Sequence, residues 1–168
     1  MTPAARSALT LAGLALLVVV AAVWGWAAAT EPLPAKVNTA ICSDNDIAAG
    51  EKVFPQDVSV NVYNAGTREG LAGRVMKEFA DAGFAEGYDG NAPPGSRVAV
   101  SQVWTPDPES PAVELVASHL GPDVEVVRRG GMGLGVTVVI GDDYTKLVAG
   151  RKSVVASEDT TICSPPLD

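Results

Sequence analysis

No charged residue occurs between Arg6 and Glu31, and Ala8 to Ala29 gives 22 consecutive positions dominated by Ala, Leu and Val. A run this long and apolar constrains where everything after it can fold. At about 1.5 Å of rise per residue, a helix over 8–29 matches the roughly 30 Å hydrocarbon core of a bilayer. Trp24 and Trp26 fall at its C-terminal end, where indole rings favour the water interface, and Arg6 lies with the amino terminus at the other end. The positive-inside rule then leaves residues 1–7 as a cytoplasmic tail and sends the chain after Thr30 outward. A cleaved signal peptide is the competing reading, because Ala27, Ala28 and Ala29 satisfy the small-x-small cleavage pattern. The length favours a retained transmembrane helix, since signal h-regions run about 7 to 15 residues. Both readings export the bulk of the chain; the first places it at the cell membrane as a single-pass protein with its C-terminal part extracytoplasmic.

Charge narrows the partners. The 168 residues carry 12 Lys and Arg against 20 Asp and Glu, a net charge of -8, the wrong sign for binding a phosphate backbone, so nucleic acid is not expected. Every acidic residue and every basic one except Arg6 lies beyond Thr30. Acidic lipid headgroups and teichoic-type polymers are therefore poor electrostatic partners for the exported part. Export also bears on Cys42 and Cys163, the only two cysteines: an oxidising compartment favours pairing them. Closing so long a loop removes unfolded-state entropy worth on the order of 4 to 5 kcal/mol in the chain-entropy picture. With a single histidine, His119, the two thiols lack the partners of a zinc site. No metal and no cofactor is expected.

Residues 30–52, with Pro32 and Pro34 and no sustained period, read as a juxtamembrane linker. The periodic segments lie within 53–150. Val58, Val60 and Val62 alternate with polar or aromatic neighbours as a strand does. From Leu71 to Ala82 the apolar residues Leu71, Ala72, Val75, Met76 and Phe79 recur at helical spacing, with Gly83 as the stop. A short extended piece around Phe84 and a Gly/Asn/Pro-rich loop follow. Val98, Val100 and Val103 suggest a second major strand. Ser110 and Pro111 open a second helix as N-cap and first residue, and Gly121 and Pro122 end it. Val124 to Val127 and Val136 to Ile140 complete the strands, joined by a glycine-rich loop that reads as a flexible hairpin. Alternating strands and helices imply an α/β fold, a small sandwich of two helices packed on a sheet of about four strands, preceded by one transmembrane helix. Residues 151–168 form a C-terminal tail in which Ser153 to Ala156 offers an edge strand that would bring Cys163 back toward Cys42.

Candidate sites are sparse. Asn64, Gly66 and Gly70 mark a strand-to-helix turn that can aim backbone N–H groups at an anion; the competing reading is a tight turn packed closely on the sheet, capped by Thr67 or a neighbour. Arg128 and Arg129, a basic pair in an acidic domain, are candidates for contact with an anionic wall polymer or a solvated loop charge. Asp142 and Asp143 form a carboxylate pair, suited to acid–base or metal work or to capping the turn at Tyr144. His119 sits at a helix end, and adjacent helical residues point about 100° apart, which argues against a relay with Ser118. Nucleophile, base and oxyanion donors do not assemble in any combination, so no enzyme is expected.

The run Val60-Asn61-Val62-Tyr63-Asn64-Ala65-Gly66-Thr67-Arg68-Glu69-Gly70-Leu71-Ala72, the later Ala82-Gly83-Phe84 and the closing Val138-Val139-Ile140-Gly141-Asp142-Asp143-Tyr144 resemble the LytR C-terminal domain family. The resemblance spans roughly Val58 to Leu147. It implies an exported envelope protein with a non-enzymatic role in keeping the cell envelope intact, as a scaffold or interaction module, with peptidoglycan or envelope proteins as partners. A wall-glycan binding domain and a regulatory subunit of a wall-polymer transferase are the alternatives it leaves open. The positions carried over are Asn64, Gly70, Gly83, Gly141 and Asp142, as structural residues; Asp143 departs from the family pattern.

Overall fold

A computed structural model describes residues 3–30 and 42–165, with side chains described over 11–26 and 42–165. The chain divides into two units, Met1–Asn38 and Thr39–Asp168. In the first, helix α1 (Pro3–Thr30) carries Leu, Val and Trp side chains that are exposed along its described length. Among the residues whose side chains are described, 11–26 and 42–165, no helix is long and apolar enough to cross a membrane. The expected span over 8–29 runs past the described side chains at both ends.

The second unit contains strand β1 (Ser43–Ile47), β2 (Lys52–Val53), a single 3-10 turn at Pro55–Asp57, β3 (Ser59–Asn64), helix α2 (Leu71–Asp81), β4 (Ala85–Asn91), β5 (Ser101–Thr105), helix α3 (Pro111–Leu120), β6 (Glu125–Arg128), β7 (Val136–Ile140), β8 (Val154–Val155) and β9 (Thr160–Ser164). Five strands form one mixed sheet in the order β4-β3-β7-β5-β6. Both β4 and β7 run parallel to β3, whereas β5 runs antiparallel to β7 and parallel to β6. Two ribbons, β1 with β9 and β2 with β8, are each antiparallel pairs. The α/β class is as expected; the sheet has five strands where about four were expected.

One phase of the strands makes the core. Val60, Val62, Val103, Val136, Val138 and Ile140 pack with Leu71, Val75 and Phe79 of α2 and Leu115 and Val116 of α3, which places both helices on one face. Full burial of each such side chain contributes about 1.5 to 3 kcal/mol. Phe84 meets the ring of Phe79 edge-on at 5.3 Å and that of His119 at 5.0 Å. The other strand phase, Tyr63, Trp104 and Val139, forms a second small cluster on the opposite face. All residues of β3 and β7 are buried, so that face is covered too, and the cover is a loop rather than a helix.

Several expectations need correction. The piece around Phe84 is a full edge strand, β4, reaching Asn91; pairing with β3 extends it through Gly87 and Gly90, where propensity alone indicates a loop. The second major strand starts at Ser101, after Val98 and Val100. The tail segment pairs with β2 as a separate ribbon and does not extend the main sheet. Ordered strands also lie within the segments read as linker and tail, and the β1–β9 register sets Asp44 opposite Cys163. A disulfide joins Cys42 to Cys163 across 121 positions of sequence, with Cα atoms 5.3 Å apart. Finally, β6 and β7 are not a hairpin, because β5 lies between them.

Candidate functional site

The turn from β3 into α2 is closed by Asn64, whose Oδ1 accepts from Gly66 N at 2.9 Å while its Nδ2 donates to Arg68 O at 2.8 Å. The loop offers the backbone N–H groups of Thr67 and Arg68, and both donate to Asp142 Oδ1, at 2.8 and 3.2 Å; Thr67 Oγ1 donates to Oδ2 at 3.2 Å. Arg68 in turn donates from its guanidinium to the carbonyls of Asp142 and Tyr144, at 3.2 and 2.7 Å. The amides that a bound anion would use are thus occupied by a carboxylate of the same chain, at the end of β7. The bonds from Thr67, its backbone N–H first, hold the Asp142 carboxyl below its ordinary value of 3.8. A Cβ on Gly66 would collide with that carboxylate. Gly70 is the residue before α2 and adopts φ +69°, so the cap is a left-handed glycine and not Thr67. Asp142 likewise does not cap the turn at Tyr144. Asp143 donates its backbone N–H to Ala99 O.

The basic pair is engaged within the fold. Arg128 donates from its guanidinium to Pro106 O at 2.9 Å, and the Arg129 guanidinium lies 3.7 Å from the centre of the Trp104 ring, a cation–π contact. Beyond them the glycine-rich segment 130–135 crosses the end of β5 and lies over the second sheet face. Side chains of that face fasten it. Tyr63 OH donates to Met132 O at 2.9 Å, Asn61 Nδ2 donates to Leu134 O, and Thr137 Oγ1 accepts from Met132 N at 2.9 Å. Asn61 also accepts from Tyr88 N at 2.8 Å, where the register of β4 shifts. Burial and the neighbouring Tyr88 push the Tyr63 phenol up.

Between this crossing, the β5–α3 loop and the β1–β9 ribbon opens a cleft of about 320 Å³. Its polar lining includes Asp44, Asp107, Ser110 and Thr161, its apolar lining Pro106, Val113, Val136 and Ile162, and Cys163 belongs to its wall. Ser110, also in the lining, stands at the N-cap of α3 and makes no capping bond. Among the described residues, no cluster of three or more His, Cys, Asp or Glu is arranged to hold a metal ion.

His119 ends α3 as expected but is buried, and Nδ1 donates to Leu115 O at 3.0 Å. Ser118 Oγ lies 3.2 Å from the same nitrogen, yet it donates to Leu115 O at 2.6 Å and accepts from Arg151 N at 3.0 Å. Both groups serve the helix end and the strap that follows. Tyr144 OH donates to Glu78 Oε2 at 2.8 Å, and Leu147 N donates to the same oxygen at 3.0 Å. Burial, then the Glu78 carboxylate, pushes the Tyr144 phenol far up.

Sequence reasoning missed the second sheet face. Its signal was available in the phase opposite the valines, where Asn61, Tyr63, Gln102 and Trp104 alternate with core residues. The cleft had no local signal, because its walls come from four separate segments. Among curated proteins, none matches this chain. The soluble domain of a conserved hypothetical secreted protein from Mycobacterium marinum is similar at 25% identity, covering 61% of this chain and 78% of that one, with a TM-score of 0.49. The profile of the family described as LytR cell envelope-related transcriptional attenuator matches residues 57–144, from the end of the 3-10 turn to Tyr144. That match takes in β3, α2, the Asp142 clamp and the whole five-stranded sheet, and with more than half of its length covered the chain belongs to the LytR C-terminal domain family.

Proposed function

We propose that this protein is a single-pass membrane protein whose extracytoplasmic LytR C-terminal domain supports cell envelope integrity as a non-catalytic scaffold or interaction module. The family match over 57–144 carries the reading. The anchor is supported by the uncharged run from Ser7 to Thr30 and by the helical backbone over Pro3–Thr30. A helix apolar on all sides needs either a protein interior or lipid around it. Tethering holds the domain within a linker's reach of the membrane face and raises its effective concentration there, so weak contacts suffice. Binding in place of catalysis is favoured because the groups best suited to chemistry serve the fold: Asp142 accepts from the β3–α2 loop, and Ser118 and His119 bond to Leu115 O. Direct contact with nucleic acid is disfavoured by the net charge of -8.

The test is complementation of a deletion strain. The full chain is expected to restore resistance to envelope stress, whereas a soluble exported form lacking residues 8–29 is expected to fail at equal abundance. Equal rescue by both forms would remove the tether from the account. A wall-glycan binding role is the second reading, favoured by the cleft beside the cystine.

A further inference from the structure

Resting on the wall-glycan reading, we infer that the cleft between the glycine-rich crossing and the β1–β9 ribbon binds an uncharged amino sugar of a wall glycan, roughly one or two rings in size. At about 320 Å³ the cleft stands at the low end of ligand pockets, too small for a lipid tail or a long peptide. Its chemistry is divided as a pyranose is divided. Pro106, Val113, Val136 and Ile162 give an apolar wall for the C–H face of a ring, while Asp44, Asp107 and the hydroxyls of Ser110 and Thr161 accept from ring hydroxyls and amide N–H groups.

Charge sets the class. No Lys or Arg lines the cleft, and the basic pair beside it is already engaged, Arg128 on Pro106 O and Arg129 on the Trp104 ring. With two carboxylates in the lining and both neighbouring guanidinium groups engaged by the fold, the cleft favours a neutral sugar over a polyol phosphate. Gly131 and Gly133 add no side chain to the facing wall. Ser110 makes no cap bond to α3, so its hydroxyl can serve a ligand without loss to the helix.

The probe is N,N′-diacetylchitobiose, with poly(glycerol phosphate) as the anionic comparison, titrated into the full chain in detergent micelles while backbone amide shifts are followed by NMR. Saturable shifts confined to 131–135, Ser110 and Thr161 are expected with the sugar and none with the polyanion. Ser110→Trp fills the cleft and is expected to weaken binding about tenfold or more with an unchanged melting temperature. Asp44→Trp fills it from the opposite wall, on an exposed strand position, and serves should the first variant unfold. Absence of saturable shifts up to the solubility limit of the sugar, sugar binding that both fillings leave intact, or binding of the polyanion at these residues would overturn the inference. Such a failure in a protein whose domain lies outside the membrane leaves the anchored-module reading standing; a cytosolic domain would defeat that reading instead.

Discussion

At Asp142 a carboxylate stands where the β3–α2 loop would receive a ligand anion, and its acidity is tied to the fold. Its folded-state pKa lies below the unfolded one, so the stabilisation is present above the unfolded value of about 3.8 and is lost as pH falls through the lower folded value. Melting temperatures followed downward from pH 5 should show a loss that Asp142→Ala flattens; an equally steep profile in the variant would place the acid sensitivity elsewhere. Tyr144 titrates in the opposite sense. Its pKa is raised, so its contribution is complete below pH 10 and declines as pH rises above that value toward the folded one. Tyr144→Phe removes one hydrogen bond and leaves Glu78 still accepting from Leu147 N. A cost of about 0.5 to 1.5 kcal/mol at neutral pH in urea denaturation is expected, with a shallower alkaline decline.

Among the elements, the glycine-rich crossing is fastened by side chains of Asn61, Tyr63 and Thr137, and Asn61 is buried and bonded to both β4 and Leu134 O. Asn61→Ala should destabilise the domain by about 1 to 3 kcal/mol for each group left unpaired, and hydrogen exchange should rise first in 130–135; unchanged exchange there would mean the crossing is held by packing. The elements differ in how much of them the sequence reveals. Helix α3 is legible end to end because Ser110-Pro111 and Gly121-Pro122 punctuate it. Strand β4 is not, since Gly87, Asp89 and Gly90 favour turns and only the edge of β3 makes them extended. The ribbon of β1 and β9 is nearly all polar, with Ile47 and Ile162 as its core contacts, and has no period to read. The Asp142 clamp joins residues 75 positions apart, a separation that local pattern does not encode, although the same loop and the same carboxylate were each identifiable by type.

For the molecule as a whole, the cystine and the apolar run have separate roles. Cys42 and Cys163 pin the entry of the folded unit to its exit, so that the ribbon they support stays beside the cleft. Cys42→Ser should cost on the order of 4 kcal/mol in chemical denaturation, and reduction of the native protein should reproduce the loss; full thiol labelling without reductant would remove the bridge. Such a cystine is favoured in an oxidising compartment outside the cytosol, and the tether is the remaining point to test. The most direct test is protease accessibility of a C-terminal tag, combined with membrane fractionation of intact cells. The account predicts a tag that sediments with membranes and is digested from outside without lysis. A tag in the cytosol, or one released wholly into the medium, would contradict it.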